Sequence, residues 1–179
     1  MLNYKLKLAM HRMDQFEAPL CIIFNRCIQL KLLRVLFVAA SQLGNGSFWY
    51  CLMACLPICY GMEGIKVLVE MLLVGGTAVL FYTYIKSRTY RSRPFMAQNG
   101  LIWPVQPLDK YSFPSGHTMH AVAFTTILVQ HYPVLGWVIV PFAVLVAFSR
   151  VVLGLHYPSD VIAGALSGYV ISSFYVLLW

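Results

Sequence analysis

Charge is scarce in this chain: Asp, Glu, Lys and Arg together make up 11% of its 179 residues, and only six are acidic. Soluble domains carry about 25% charged residues, so the scarcity excludes an ordinary water-solvated domain. The five cysteines contain no CxxC pair, which excludes a zinc-ribbon or disulfide framework. Cys51, Cys55 and Cys59 recur at i, i+4 and i+8 and so share a helical face. Packing as small apolar residues inside a membrane helix is preferred there over a thiol site. There are no internal repeats and no low-complexity tracts. Charges interrupt the first forty residues, so no cleavable signal peptide is expected.

What the chain has instead is apolar length. Sixty per cent of it is hydrophobic, with a mean hydropathy of +0.72. Between Val67 and Ile85 the only charge in nineteen residues is Glu70, and between Val161 and Trp179 there is none. A bilayer core takes roughly 20 residues at ~1.5 Å each, so both segments qualify as spans. The pattern predicts an all-α polytopic membrane bundle forming one domain over 1–179. Residues 1–45 read as a basic amphipathic segment lying on the membrane, with 30–43 entering partway, until Gly44-Asn45-Gly46 breaks the helix. The core, 46–179, holds about five transmembrane helices. They run from Ser47 to about Met62, from Lys66 to Ile85, from His117 to about His131, from about Leu135 to Val152, and onward from Pro158. A proline suits the first position of that last helix, and Gly164 and Gly168 give it a small-xxx-small face for close packing.

The net charge of +7 is unevenly placed. Lys86, Arg88, Arg91 and Arg93 crowd into eight positions between apolar segments, and six more basic residues precede Lys66. This suits an anionic membrane surface or an anionic substrate, and no nucleic-acid partner is expected. The order of the spans then gathers the second, third, fourth and fifth at one membrane face. Lys86, Arg93, His117, Arg150, His156 and Asp160 all fall at those helix ends. Between His117 and Arg150 lie 32 residues, enough for a hairpin of two spans.

Ionisable residues at the membrane edge are costly and by default functional. Three cations, two histidines and a carboxylate suit a dianionic phosphoryl group. Lys86, Arg93 and Arg150 would neutralise its non-bridging oxygens. Ser115 and Gly116 precede a helix and would add backbone N–H donors. His156 would attack phosphorus, with Asp160 fixing its tautomer. His117 would protonate the leaving oxygen and then activate water. No metal and no cofactor enters this scheme.

Lys86 to Pro94 reads K-x6-R-P, Pro114 to His117 reads P-S-G-H, and Ser149 to Asp160 reads S-R-x5-H-x3-D. The chain therefore resembles the type 2 phosphatidic acid phosphatase family, whose three-part signature is met at every defining position. The resemblance implies a helical phosphatase core, metal-independent hydrolysis, and lipid phosphates or polyprenyl diphosphates as substrates. Phosphatidic acid, phosphatidylglycerophosphate and polyprenyl diphosphates all stay open, because no motif reads a headgroup. A lipid phosphotransferase using the same histidine, and a non-catalytic phosphate-binding membrane module, are the alternatives. Nothing in the sequence sets the oligomeric state.

The remaining polar residues receive plainer readings. His120 is expected to make a membrane-edge hydrogen bond rather than to join His117 as a metal ligand. Glu70 is expected to pair with Lys66, one turn away, and His131 to sit at the far interface. Arg88 and Arg91 are read as solvated or near lipid headgroups, and Trp103, Tyr111 and Phe113 as interface aromatics. The bias of Lys and Arg toward the active-site face places that face in the cytoplasm by the positive-inside rule, and the protein in a cell membrane. The bacterial relatives imply the outward face instead.

Overall fold

The computed structural model describes residues 2–178, with side-chain surroundings from Leu8 onward. Trp179 and the side chains of Lys5 and Lys7 lie outside the described residues. The described chain is helical: α1 (Leu2–Asn25), a 3-10 turn (Arg26–Gln29), α2 (Lys31–Leu43), α3 (Ser47–Thr89), the single turn α4 (Pro94–Ala97), α5 (Gly116–His131), α6 (Gly136–Val152) and α7 (Pro158–Leu178). Three stretches, Ser47–Ala97, Pro133–Val152 and Pro158–Leu178, are long and apolar enough to cross a membrane.

The longest of these is a hairpin. Gly61 interrupts α3 at φ 56, ψ −130, a backbone conformation that only glycine adopts without strain. The chain folds back so tightly there that a Cβ on Gly64 would lie 2.1 Å from the Leu56 carbonyl oxygen. Trp49, Met53 and Leu56 of the first arm then share one core with Val67, Met71 and Val74 of the second. The break falls where the sequence separates its first two spans.

The first arm is short. Its fourteen residues, 47–60, would reach about 21 Å at ~1.5 Å per residue, against a core of about 30 Å. α2 lies in line with it. Phe37 of α2 packs on Phe148 of α6 at 5.9 Å, Phe48 of the first arm on Phe142 at 4.1 Å, and Tyr60 stacks on Tyr132 at 4.0 Å. Thus α2 and the first arm run the length of α6 in succession, divided partway by Gly44-Asn45-Gly46. The first span expected at Ser47 is the second half of this longer, interrupted run.

α5 lies at the centre and packs most closely on α7. A Cβ on Gly164 would stand 2.5 Å from the carbonyl oxygen of Ser115, and one on Gly168 2.4 Å from that of Met119. Two glycines one turn apart thus let the backbones touch, as the small-xxx-small pattern predicts. At the end of the bundle far from the motifs, two pairings depart from expectation. Lys66 bonds Glu63 at 2.7 Å, while the buried Glu70 takes His131 at 2.7 Å. Glu70 points into the bundle toward α5, so its neighbour in space wins over its neighbour in sequence. Cys51, Cys55 and Cys59 do share a face, but all three are exposed; they turn outward from the bundle rather than packing inside it.

A candidate active site at the helix ends

The S-R-x5-H-x3-D spacing is the geometry of one helix ending and the next beginning. Gly154, at φ 69, closes α6. The Leu155 N–H donates to the Arg150 carbonyl at 3.0 Å and the Gly154 N–H to that of Val151 at 2.9 Å. This is the paired closure of a left-handed C-terminal cap. His156 follows at once, its own N–H on the Arg150 carbonyl at 3.0 Å. Tyr157 then caps α7, Pro158 takes the first helical position, and Asp160 sits in the first turn with Oδ2 accepting the Tyr157 N–H at 2.9 Å. That is half of a capping box. Arg150, His156 and Asp160 are therefore fixed by backbone hydrogen bonding, not by loop chance.

P-S-G-H opens α5 in the same manner. Ser115 is the N-cap, its Oγ accepting from the Thr118 N–H at 3.5 Å. Its backbone N–H donates to the Asp160 carbonyl at 3.0 Å, which locks the starts of α5 and α7 together. Gly116 and His117 then face a cavity of ≈ 530 Å³ also lined by Lys86, Arg93, Asp109, His120 and His156. Five of the eight predicted site residues line this one space. Ser115, Arg150 and Asp160 stand behind its wall and are fully or almost fully buried. The two histidines lie on the same side of the bundle and face the same space.

His156 is buried and held by its neighbours. Arg93 Nη1 lies 3.1 Å from Nε2 while also donating to the Leu155 carbonyl at 2.8 Å. On the other side of the ring, Nδ1 is 3.4 Å from Asp160 Oδ2, longer than the usual 2.7–3.2 Å hydrogen bond. Burial first, then the charges of Arg93, Arg150 and Lys86, hold the His156 imidazole well below its ordinary value of 6.5. Burial and these charges favour the neutral ring, and a guanidinium can only donate, so Nε2 is the lone-pair nitrogen and Nδ1 carries the proton; Asp160 Oδ2 stands 3.4 Å away, but among the described residues Nδ1 makes no hydrogen bond.

The structure adds residues that the sequence did not single out. Asp109, from the proline-rich loop, bridges Lys86 at 2.7 Å and Arg93 at 2.9 Å, and its carbonyl accepts from Arg93 Nε at 3.1 Å. The cation excess expected to need an external partner is thus partly met from within. Ser41 of α2 accepts from Arg150, whose Nε has no partner. Arg91 is not solvated: it is 3% exposed and bonds Asp14 at 2.8 Å, Glu17 at 2.7 Å and Asp160 at 2.6 Å. A guanidinium facing three carboxylates has no reason to reach solvent. His120 Nδ1 lies 3.0 Å from the Gly116 carbonyl and Nε2 3.3 Å from that of Gly75, and the nitrogen that carries the proton donates to its neighbour. Trp103 stacks on Phe95 at 5.3 Å, away from the cavity. None of the added partners had a local signal, because each lies 16 or more residues from the group it serves.

Known proteins share both the sequence and the architecture. The PAP2 superfamily model matches residues 67–179. An undecaprenyl-diphosphatase of Sulfolobus acidocaldarius is 34% identical over 147 residues, covering 80% of this chain and 69% of that protein. An undecaprenyl-diphosphatase of Bacillus subtilis is 33% identical over 99 residues, 55% of this chain. The match takes in 51% of that relative, so the chain spans about half its length. The crystal structure of a transmembrane PAP2 type phosphatidylglycerolphosphate phosphatase from Bacillus subtilis superposes with a TM-score of 0.76, at 27% identity over 99% of this chain and 92% of the other. A family match over more than half of the chain, a fold shared along nearly all of it, and three signature segments meeting at one helix end establish that this chain belongs to the PAP2 superfamily.

Proposed function

We propose that the protein releases phosphate from a lipid phosphate or diphosphate through a phosphohistidine on His156, with no metal in the chemistry. The observation that carries this is the setting of His156: its Nε2 faces a cation-lined cavity beside Arg93, its Nδ1 stands 3.4 Å from Asp160 Oδ2, and burial favours the neutral ring. Lys86, Arg93 and Arg150 supply the positive field that a metal supplies elsewhere.

The steps follow from the geometry. An entering phosphoryl group takes Lys86 and Arg93 from Asp109, which removes the Arg93 contact from Nε2. The Ser115–Gly116 end of α5 adds N–H donors. Nε2 attacks phosphorus, the P–O bond to the leaving group breaks, and His117, which takes up a proton as the phosphoryl dianion enters beside it, gives that proton to the departing oxygen. Asp160 stabilises the cation formed on His156. Water, deprotonated by His117, then attacks the phosphohistidine, releasing phosphate and restoring both rings.

The cavity also favours a lipid. Beyond the charged end it is lined by Tyr50, Met71, Leu72, Gly76 and Val79. Tyr50 and Leu72 are 68% and 55% exposed, so the apolar part opens sideways between the two arms of α3, where an acyl or prenyl chain can lie. The relatives named as undecaprenyl-diphosphatases and the phosphatidylglycerolphosphate phosphatase point to the same substrate class. The chain works as one domain with five membrane crossings: 31–60, the second arm of α3, α5, α6 and α7. The active-site face is cytoplasmic.

The test is phosphate release by the purified protein, with chelator present, from polyprenyl diphosphate, phosphatidylglycerophosphate and phosphatidic acid, each with and without an acceptor lipid. Release into water is expected from at least one. A rapid alkaline quench should trap phosphate on His156, and His156→Ala should lose at least about 10³-fold in rate. Full activity in that variant, or loss of wild-type activity to the chelator, defeats the proposal.

A further inference from the structure

The buried cluster around Arg91 lies outside the signature and is not used in the steps above. Five contacts converge on one guanidinium. Nε donates to Asp14 Oδ1 at 2.8 Å, Nη2 to Glu17 Oε2 at 2.7 Å, and Nη1 to both Asp160 Oδ1 at 2.6 Å and Ser159 Oγ at 2.7 Å. Its plane also rests over the Tyr157 ring at 4.3 Å. Glu17 binds α7 independently: Oε1 accepts the Ser159 N–H at 2.8 Å and Oε2 its hydroxyl at 2.7 Å. Arg91 side-chain exposure is 1% and that of Asp160 is zero.

Such a cluster is costly to assemble at a membrane edge, since each ion must be desolvated, and a fold that needed only a tether would use apolar contacts. Its geometry has a specific effect. Asp160 has two oxygens: Arg91 holds Oδ1, while Oδ2 accepts the Tyr157 N–H and stands 3.4 Å from His156 Nδ1. We infer that Arg91, braced by Asp14 and Glu17 of α1, is a positioning residue that aims Asp160 at His156 and fixes the state in which it meets the ring. The amphipathic N-terminal helix is thereby a working part of the site. This rests on the reading of His156 as the nucleophile.

The charged and titratable groups acting on Asp160 come from three directions. They are Glu17 and Cys21 from α1, with Asp14 reaching it through Arg91, Lys86 from the end of α3, Arg91 and Arg93 from the α3–α4 junction, and His156 and Tyr157 from the α6–α7 turn. Of these, Arg91 alone is a cation bonded to the carboxylate. Without it the Asp160 carboxylate loses the one cation bonded to it and the contact that fixes its oxygens, and so its hold on the cation formed on His156.

The experiment compares wild type with Arg91→Ala, Arg91→Lys and Glu17→Gln, purified in detergent and normalised to monodisperse protein, on the lipid from which wild type releases most phosphate. Arg91→Ala should lose roughly 10- to 100-fold in kcat with KM little changed, and the acid limb of its kcat profile should move to higher pH. Methylguanidinium should restore part of the rate. Arg91→Lys keeps the charge but not the fork, so it should lose kcat with a smaller shift of the limb. If Arg91→Ala yields no monodisperse protein, Arg91→Lys and Glu17→Gln carry the test, each with reduced kcat and a displaced limb. An unchanged profile in every variant that folds overturns the inference, whatever the loss of rate. A wild type without phosphatase activity refutes instead the proposed function on which the inference rests.

Discussion

At the scale of the residue, the site depends on His156 being a free base. Its folded-state value lies well below 6.5, chiefly through burial, so at pH 6.5 the folded ring is neutral while the same ring in an unfolded chain is half protonated. Histidine NMR in detergent, with His156→Gln identifying the signal, should find this ring unprotonated at pH 6.5. A midpoint at or above 6.5 contradicts the site described here. The linkage has a definite sign: the unfolded state binds a proton that the folded state refuses, so the contribution of His156 to stability is intact above about pH 6.5 and declines as pH falls below it. Asp109 permits a second residue-scale prediction. Its carboxylate occupies the two cations that the proposed reaction would offer to phosphate. Asp109→Asn should therefore bind inorganic phosphate several-fold more tightly, measured as product inhibition or by titration calorimetry. Weaker binding would mean that Asp109 holds Lys86 and Arg93 in place rather than competing for them.

At the scale of the element, the contact between α5 and α7 fixes the distance from His117 to His156. Gly168 meets the Met119 backbone so closely that even a methyl group at 2.4 Å has no room. Gly168→Val must separate the helices, at a cost of about 1–3 kcal/mol or more, and it carries the α5 end of the site away from the α7 end. Activity should fall faster than the melting temperature, both being measurable on the same detergent preparation; full activity would show that the helices tolerate separation. This contact was legible in the sequence, because glycines four apart in an apolar run have a single plain use. So were the helix ends that build the site, since proline, glycine and the motif spacing encode caps. Asp109, Ser41 and the α1 acids were not. A carboxylate in an irregular loop 23 residues from its partner has no periodicity to betray it, and Asp14 and Glu17 read as the wet side of a surface helix until α1 is placed against α7. Arg91 was misread for the same reason: its three anions are distant in sequence.

At the scale of the whole molecule, the basic residues concentrate at one end, and the opposite end holds Lys66 with the acids Glu63 and Glu70. The cytoplasmic face proposed for the site is tested by one residue. Asn99 lies in the loop beside the site; as the only cysteine, with the native five removed, it should react with an impermeant thiol reagent in opened cells and not in intact ones. Labelling of intact cells would turn the molecule over in its membrane.

The bridge made by Asp109 has a bearing on life in a bilayer crowded with phosphate esters. A pocket that already contains its own anion is never an empty positive hole, and every ligand enters by exchange. A singly charged phosphodiester headgroup offers Lys86 and Arg93 no more than the carboxylate it must evict, whereas a terminal phosphate brings a second negative charge. On the proposed function the resident carboxylate would act as a threshold, turning away diester lipids and admitting monoesters and diphosphates. Vesicles of phosphatidylglycerol should leave the native protein unhindered and inhibit Asp109→Asn.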